Sequence, residues 1–213
     1  MQRLRASFGR DDEIKFLSHL DLMRLWERAL RRADLPLAYS EGFRPHPRIS
    51  LAAPLSVGIT SSAELMDIFL YTWISPNTFI EQISAQLPQS LKVYEVCSIG
   101  LTAPSLQSQI RFAEYEVKAE NQKTTHELEA SINSLLSSEE ILWHHYRDTG
   151  ARYYNLRMLV DDIWLIDFNK PVFTLGMRLQ CSPKGSGRPE QVTKALGFSL
   201  RPQSIHRTRL VLN

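Results

Sequence analysis

Cysteine is scarce in this sequence, and its arrangement indicates neither a disulfide framework nor a metal centre. Cys97 and Cys181 lie far apart in a chain of 213 residues, and neither has a cysteine or histidine at metal-ligand spacing. A CxxxCxxC motif, which would hold an iron–sulfur cluster, is also absent. We therefore expect two buried thiols in a reducing compartment, and neither a metal ion nor another cofactor bound by this chain.

Long hydrophobic runs are missing as well. No apolar stretch reaches the ~18–20 residues that span a bilayer, and residues 1–5 lack the apolar segment of a secretory signal. Hydrophobic residues make up 43% of the chain and charged residues 23%, as is ordinary for a globular protein. These features predict a cytoplasmic protein without membrane contact, with one large or two small domains.

Basic residues are concentrated towards both ends of the chain. Residues 1–50 carry ten Lys/Arg against seven Asp/Glu, residues 178–213 carry seven against one, and residues 51–177 carry eight against fifteen. If the two ends meet in space, they form one basic face on a protein of formal net charge +2. Such a face attracts phosphates in a salt-dependent way. Scattered arginines on a solvated surface would give the same counts.

The order of the predicted elements indicates an α+β fold with two tandem ferredoxin-like domains. Each has the order βαββαβ, with an antiparallel sheet covered by two helices. The first domain comprises residues 1–100, and the polar, uncharged residues 101–110 predict a linker. Residues 111–213 form the second domain, with an extra hairpin. Because the halves share no evident identity, this repeat rests on element order alone.

Residues 18–33 predict an amphipathic helix that begins with Ser18 as N-cap and Asp21 three residues later. Four arginines lie opposite its apolar stripe: Arg24, Arg28, Arg31 and Arg32. A guanidinium offers paired donors to phosphate oxygens, so this face predicts binding of RNA or another polyanion. The alternative is a solvated helix with intrahelical pairs such as Glu27–Arg31.

The loop that follows, residues 39–48, has the sequence YSEGFRPHPR. Two prolines stiffen the backbone around His46, which fixes side chains before a ligand arrives. Tyr39 and Phe43 are candidates to stack on bases, and Arg44, His46 and Arg48 are candidates to contact phosphate. The alternative is an ordered turn in which the two aromatic rings cover the core.

The histidines permit a second hypothesis, a metal-independent RNA endonuclease. Such an enzyme needs a general acid and a general base that titrate near neutral pH. His19 and His46 are the candidates, and Lys15 and Tyr39 could complete the site. Nothing in the spacing requires this, and a surface or capping role is the simpler explanation for each histidine. We therefore assign no catalytic residue and expect no catalytic activity of the chain's own.

The last third adds candidate phosphate contacts from the second domain. Residues 182–189 precede a predicted helix and contain Lys184 and Arg188. They match neither a Walker loop nor a dinucleotide fingerprint. Arg207 lies on the final predicted strand. These three residues predict RNA contacts, with a flexible hairpin tip as the alternative for residues 182–189.

Several of these segments resemble the bacterial radical SAM-linked family. The motifs are FLSHLDL at 16–22, RALRRA at 28–33, YSEGFRPHP at 39–47 and PLSVG at 54–58, with RPE at 188–190 and IHRT at 205–208. In that family the domain is fused to, or encoded beside, a radical SAM protein. The resemblance therefore implies a radical SAM iron–sulfur partner and a bacterial cytoplasmic setting. It supplies no catalytic residue.

A more distant likeness is to the CRISPR repeat-processing RNA endonucleases, which also pair two ferredoxin-like domains. The glycine-rich loop here precedes the last helix, whereas in those nucleases it follows that helix. Three hypotheses remain open. The chain presents a tRNA or rRNA substrate to a radical SAM modification enzyme, cleaves RNA, or acts as a protein-only adaptor for that partner.

Overall fold

The computed structural model describes residues 1–147, 150–183 and 185–213. Within it the chain divides into two compact units, Met1–Ile110 and Arg111–Asn213. The predicted turn at residues 148–149 and the predicted RNA contact Lys184 lie outside the described residues.

The first unit alternates strands and helices in the order that the hydrophobic pattern predicts. A 3₁₀ turn, Asp12–Ile14, precedes the first helix. The elements are β1 (Gln2–Arg10), α1 (His19–Arg32), β2 (Ile49–Leu51), β3 (Thr60–Leu70), α2 (Pro76–Ser84), β4 (Val93–Ile99) and α3 (Leu106–Gln109). Ser18 caps α1 and Ser75 caps α2, each through its hydroxyl oxygen.

The strands of the first unit form a sheet in the order β2–β3–β1–β4, and the pairings are antiparallel. Gln2 pairs with Leu70 and Arg10 with Ser61, so β1 and β3 run side by side over almost their full lengths. On β1, Leu4, Ala6 and Phe8 belong to one core cluster.

That core cluster packs the two helices onto the sheet. Its helical members are Leu22, Trp26, Ala29 and Leu30 of α1 and Phe79 and Ile83 of α2. Trp26 is fully buried, and its ring meets Phe8 edge-on at 5.0 Å between centroids. The apolar stripe of α1 therefore lies against the sheet and turns its arginines to solvent.

The side chains of Arg3 and Arg5 meet the carboxylate of Asp67. Arg3 Nη2 lies 2.6 Å and Arg5 Nε 2.8 Å from its oxygens. Arg3 also donates to the carbonyl oxygens of Ala103 and Pro104 at 2.7 and 2.8 Å. Residues 101–110, which the sequence predicts as a linker, thus contain a short helix bound to the first unit.

The second unit contains β5 (Ile110–Glu120), α4 (Thr125–Ser137), β6 (Leu142–Arg147), β7 (Gly150–Asn155), β8 (Val160–Asn169), β9 (Val172–Ser182), β10 (Gly185–Ser186), α5 (Pro189–Ala195) and β11 (Ser204–Leu212). Its sheet has the order β8–β9–β5–β11, and β10 pairs with the end of β9. β6 and β7 form a separate antiparallel pair where the sequence predicts an extra hairpin.

The predicted α+β class is confirmed, with mostly antiparallel strands and five α-helices in the described part of the chain. None of these described helices combines the length and the apolar character needed to cross a membrane.

Candidate functional site

The start of α1 is held by a buried arginine at the end of β1. Arg10 is 1% exposed and donates hydrogen bonds to the carbonyl oxygens of Ile14, Lys15 and Leu17 at 3.3, 2.7 and 2.6 Å. Charge-assisted bonds of this kind are stronger than neutral ones. Arg10 therefore fixes the chain just before the N-cap, and with it the direction in which α1 leaves the sheet.

The N-cap of α1 is a reciprocal pair. Ser18 Oγ accepts a hydrogen bond from the backbone N–H of Asp21 at 3.2 Å and donates to Asp21 Oδ2 at 2.6 Å. The bond from Ser18 and the nearby Arg24 guanidinium lower the pKa of the Asp21 carboxyl. The carboxylate also lies at the positive end of the helix dipole. The predicted start of this helix is thus confirmed.

The four predicted phosphate contacts of α1, here called the arginine face, are all exposed: Arg24, Arg28, Arg31 and Arg32. Arg24 makes one exposed ion pair, with Asp21 at 3.4 Å. The other three have no carboxylate partner among the residues that the structure describes, and the expected Glu27–Arg31 pair does not form there. The arginine face therefore carries several uncompensated positive charges.

Residues 39–48 form a closed loop with a free tip. The backbone bridges Tyr39 to Pro47, Ser40 N–H donates to His46 O at 2.9 Å, and Ser40 Oγ accepts from His46 N–H at 3.0 Å. Gly42, with φ of 121°, has open space on all sides. Phe43 at the tip is fully exposed. The base of the loop is ordered by its own hydrogen bonds, while the tip is exposed to solvent.

The remaining loop candidates divide by burial. Arg44 and His46 are exposed, whereas Tyr39 is half-buried against the core cluster of the first unit. Arg48 is exposed but anchored, because its guanidinium stacks over the Phe69 ring at 4.5 Å from the centroid. Phe43 is therefore the aromatic side chain that this loop offers to a ligand.

The four residues of the nuclease hypothesis are split between the two ends of β1. Lys15 accepts a backbone hydrogen bond from Gly58, and His19 begins α1 just beyond the carbonyls that Arg10 binds. The loop that carries Tyr39 and His46 follows residues that pair with Phe69 and Leu70, beside the start of β1. Nine strand residues span about 27 Å at roughly 3 Å each. The structure does not bring the two histidines together.

Two exposed aromatic residues near the loop were missed in the sequence. Tyr71 is 56% and Trp73 72% exposed, in the turn between β3 and α2. The amide of Gln2 holds this turn, accepting from Ile74 N–H at 2.9 Å and donating to Ile74 O at 3.0 Å. The signal for them in the sequence is a Tyr-Thr-Trp run directly after an apolar strand.

The candidates of the second unit have different environments. Arg188 is exposed and immediately precedes α5, where its side chain makes no capping bond. Arg207, on β11, is fully buried, so its side chain does not reach the surface. Lys184 lies outside the described residues.

A family model matches most of the chain. The bacterial family described as "Uncharacterized protein conserved in bacteria (DUF2344)" matches residues 3–189. A comparison with curated proteins gives no match.

Solved structures of a Cbf5–Nop10–Gar1 complex and of H/ACA complexes share the fold at low sequence identity. The crystal structure of a Cbf5–Nop10–Gar1 complex gives a TM-score of 0.54 at 8% identity, covering 97% of this chain and 48% of that one. An archaeal box H/ACA sRNP Nop10–Cbf5 complex gives 0.51 at 10% identity, with 98% and 48% covered.

An H/ACA RNP bound to a substrate RNA containing 2'-deoxyuridine gives a TM-score of 0.51 at 8% identity, with 97% of this chain and 47% of that one covered. The chain thus spans about half the length of the proteins it matches. At these identities the likeness concerns the fold alone.

Proposed function

The chain belongs to the bacterial DUF2344 family, and from that premise we propose that it binds RNA through the arginine face of α1 and the loop at residues 39–48. It acts as an accessory module that presents a tRNA or rRNA substrate to a partner enzyme. The chain has no catalytic role of its own in this proposal.

The observation that carries the proposal is the set of uncompensated arginines on α1. Three exposed guanidinium groups, which have no carboxylate partner in the described part of the chain, repel one another on a short helical surface. A polyanion relieves that repulsion, since phosphates accept paired hydrogen bonds from guanidinium groups and release their own counterions. A purely solvated helix would be expected to pair these cations with acids along its surface, as Asp21 pairs with Arg24.

The loop supports the same function with a different chemistry. The exposed arginines Arg44 and Arg48 and the exposed imidazole of His46 belong to the same loop as the exposed ring of Phe43. Cations beside an exposed aromatic ring are typical of surfaces that hold a nucleic-acid backbone and its bases together. Arg188, exposed in the second unit, is a further candidate phosphate contact.

The strand orders support a finer assignment of the fold. In the first unit the strand order is β2–β3–β1–β4 and in the second β8–β9–β5–β11. The first unit contains a βαββαβ series followed by α3, and the second contains the same series with the β6–β7 pair and β10 added. We propose that both units are ferredoxin-like domains, covering residues 1–100 and 111–213 and joined by residues 101–110. The distant likeness to the CRISPR endonucleases has this architecture as its only support.

The proposed partner is a radical SAM iron–sulfur protein, which the resemblance of the N-terminal motifs implies. The solved structures offer an analogy only. One of them is an H/ACA RNP bound to a substrate RNA. The RNA would be held by this chain while the partner modifies it.

The test is RNA binding measured at increasing potassium chloride concentration, by electrophoretic shift or fluorescence anisotropy with bulk tRNA. The variant R28A/R31A/R32A is compared with R111A/R201A/R209A, which removes three exposed arginines from the second unit. Both variants lower the net charge by the same amount. We expect the first to lower the slope of log K against log salt by about 2–3, and the second to change it by less than about 1.

Two outcomes would replace the proposal. Absence of any shift at low salt, with copurification of the partner that resists nuclease treatment, would indicate a protein-only adaptor. RNA cleavage in EDTA that is lost in H19A or H46A would indicate an endonuclease.

A further inference from the structure

Three aromatic side chains at one end of the first unit, here called the aromatic end, point to the form of RNA that this unit binds: Phe43, Tyr71 and Trp73. We infer that the aromatic end stacks on unpaired bases, so that the substrate is single-stranded or looped RNA and not a duplex. This inference rests on the proposed function and deepens it.

The backbone joins the two segments that carry these rings. Leu37 forms an antiparallel bridge with Leu70, and Ala38 N–H donates to Phe69 O at 2.8 Å. The loop that bears Phe43 follows directly from Ala38, and Tyr71 follows directly from Leu70. Tyr71 N–H in turn donates to Pro36 O at 2.8 Å. Both segments therefore leave the sheet at the end where β1 begins.

Both segments are ordered before any ligand arrives. Gln2 is 7% exposed and makes two hydrogen bonds to the backbone of Ile74, which fixes the turn that contains Tyr71 and Trp73. Ser40 makes two bonds to His46 and closes the loop below Phe43. Ordered backbones lower the entropic cost of binding at exposed rings.

The positive charges at the aromatic end favour a polyanionic ligand. α1 runs towards it and ends with Arg31 and Arg32, and Arg44 and Arg48 belong to the same loop as Phe43. Exposed rings among cations complement a chain of bases linked by phosphates, whereas an apolar protein surface would leave the arginines unpaired. Phe43 is the most exposed of the three rings, and it has no packing role in the unit.

Stacking also separates single-stranded from duplex RNA. In a duplex the faces of the bases are covered by their neighbours, so an aromatic side chain reaches only the grooves. An unpaired base offers a free face, and stacking on it tolerates any sequence. The aromatic end therefore predicts a preference for strand form and little preference for sequence.

The probes are an unstructured labelled RNA of about twelve nucleotides and the same strand annealed to its complement. We expect the single strand to bind more tightly, and F43A and W73A each to weaken it by roughly 5- to 100-fold with less than about 2-fold effect on the duplex. W73F, which keeps an aromatic face, should retain affinity, whereas W73L should not. The control F16A removes a ring that is 71% exposed at the other end of α1, and should leave both affinities unchanged.

A second readout is intrinsic fluorescence. Trp26 is buried, whereas Trp73 is exposed, so stacking on Trp73 should quench emission when the single strand binds. W73F should lose that quenching while keeping its affinity. Unchanged far-UV circular dichroism of the variants shows that the fold is intact.

The outcomes distinguish a failure of this inference from a failure of the proposed function. Binding of both RNA forms with equal affinity, sensitive to R28A/R31A/R32A and insensitive to F43A and W73A, overturns this inference and leaves the proposed function standing. Failure of both forms to bind at low salt overturns the proposed function and the inference with it.

Discussion

At the scale of single residues, the hydroxyl of Ser18 couples the start of α1 to the ionisation of Asp21. The hydroxyl accepts from the backbone N–H of Asp21 and donates to its carboxylate, and the donated bond lowers the pKa of Asp21. A carboxyl group whose pKa is lower in the folded state stabilises the fold at pH values above its pKa in the unfolded state. That stabilisation is lost as the pH falls through the folded pKa.

We predict that S18A lowers the free energy of unfolding by about 1 kcal/mol at neutral pH. It should also raise the pKa of Asp21 and flatten the loss of stability below about pH 4. Urea denaturation at several pH values and NMR titration of Asp21 measure the two effects. The matched control is S75A, which removes the N-cap of α2, a helix with no acidic residue in its first turn. A pH dependence that changes equally in both variants would contradict this coupling.

At the scale of elements, a buried carboxylate that binds two arginines links β3 to β1 in the first sheet. Asp67 on β3 is 1% exposed and bonded to both Arg3 and Arg5 of β1. Arg3 also binds the carbonyls of residues that precede α3. Removing one member of a buried ionic group is costly because the other charges remain desolvated.

We predict that D67A lowers the free energy of unfolding by about 3–5 kcal/mol. D12A, which removes a mostly exposed carboxylate paired with Lys15 at 2.7 Å, should cost less than about 1 kcal/mol. Chemical denaturation compares the two. The triple variant R3M/R5M/D67L should recover much of the loss, and equal costs for D67A and D12A would exclude the buried ionic group as a stabilising feature.

The sequence predicts those elements that local signals determine. The N-cap Ser18 and the apolar stripe of α1 define that helix to within a residue, because capping and amphipathicity are both read within a few positions. The order of strands and helices follows from periodicity in the same way. Burial of Arg10 and Arg207 was not predicted, because an arginine is hidden by residues distant in sequence. The exposure of Trp73 was not predicted either, because exposure also depends on residues distant in sequence.

At the scale of the whole molecule, the first unit is electrically neutral but strongly asymmetric. It carries eleven Lys/Arg and eleven Asp/Glu. Asp11, Asp12 and Glu13 follow the last residue of β1, whereas the loop with Arg44 and Arg48 lies beside its first residue. Charge segregated in this way orients an approaching polyanion before contact.

We predict that D11A/D12A/E13A leaves the salt slope of RNA binding above about 0.15 M ionic strength unchanged, because these residues touch no phosphate in the proposed complex. Affinity should rise at low salt and converge with that of the unmodified protein as ionic strength passes about 0.15 M, where screening shortens the reach of charge to about 8 Å. Anisotropy titrations in a salt series measure both. A steeper slope above about 0.15 M would show that Lys15 and Lys92, released from their acidic partners, bind phosphate themselves.

The loop at residues 39–48 has a practical consequence. Its base is closed by Ser40 and His46, and at its tip Phe43 is fully exposed while a Cβ added at Gly42 would meet no described atom within 4 Å. A modified side chain at the tip should therefore not affect folding. A photoreactive phenylalanine analogue at position 43 should leave stability unchanged and crosslink in living cells to whatever molecule meets this surface. Crosslinking from position 43 therefore provides a way to isolate the partner of this protein.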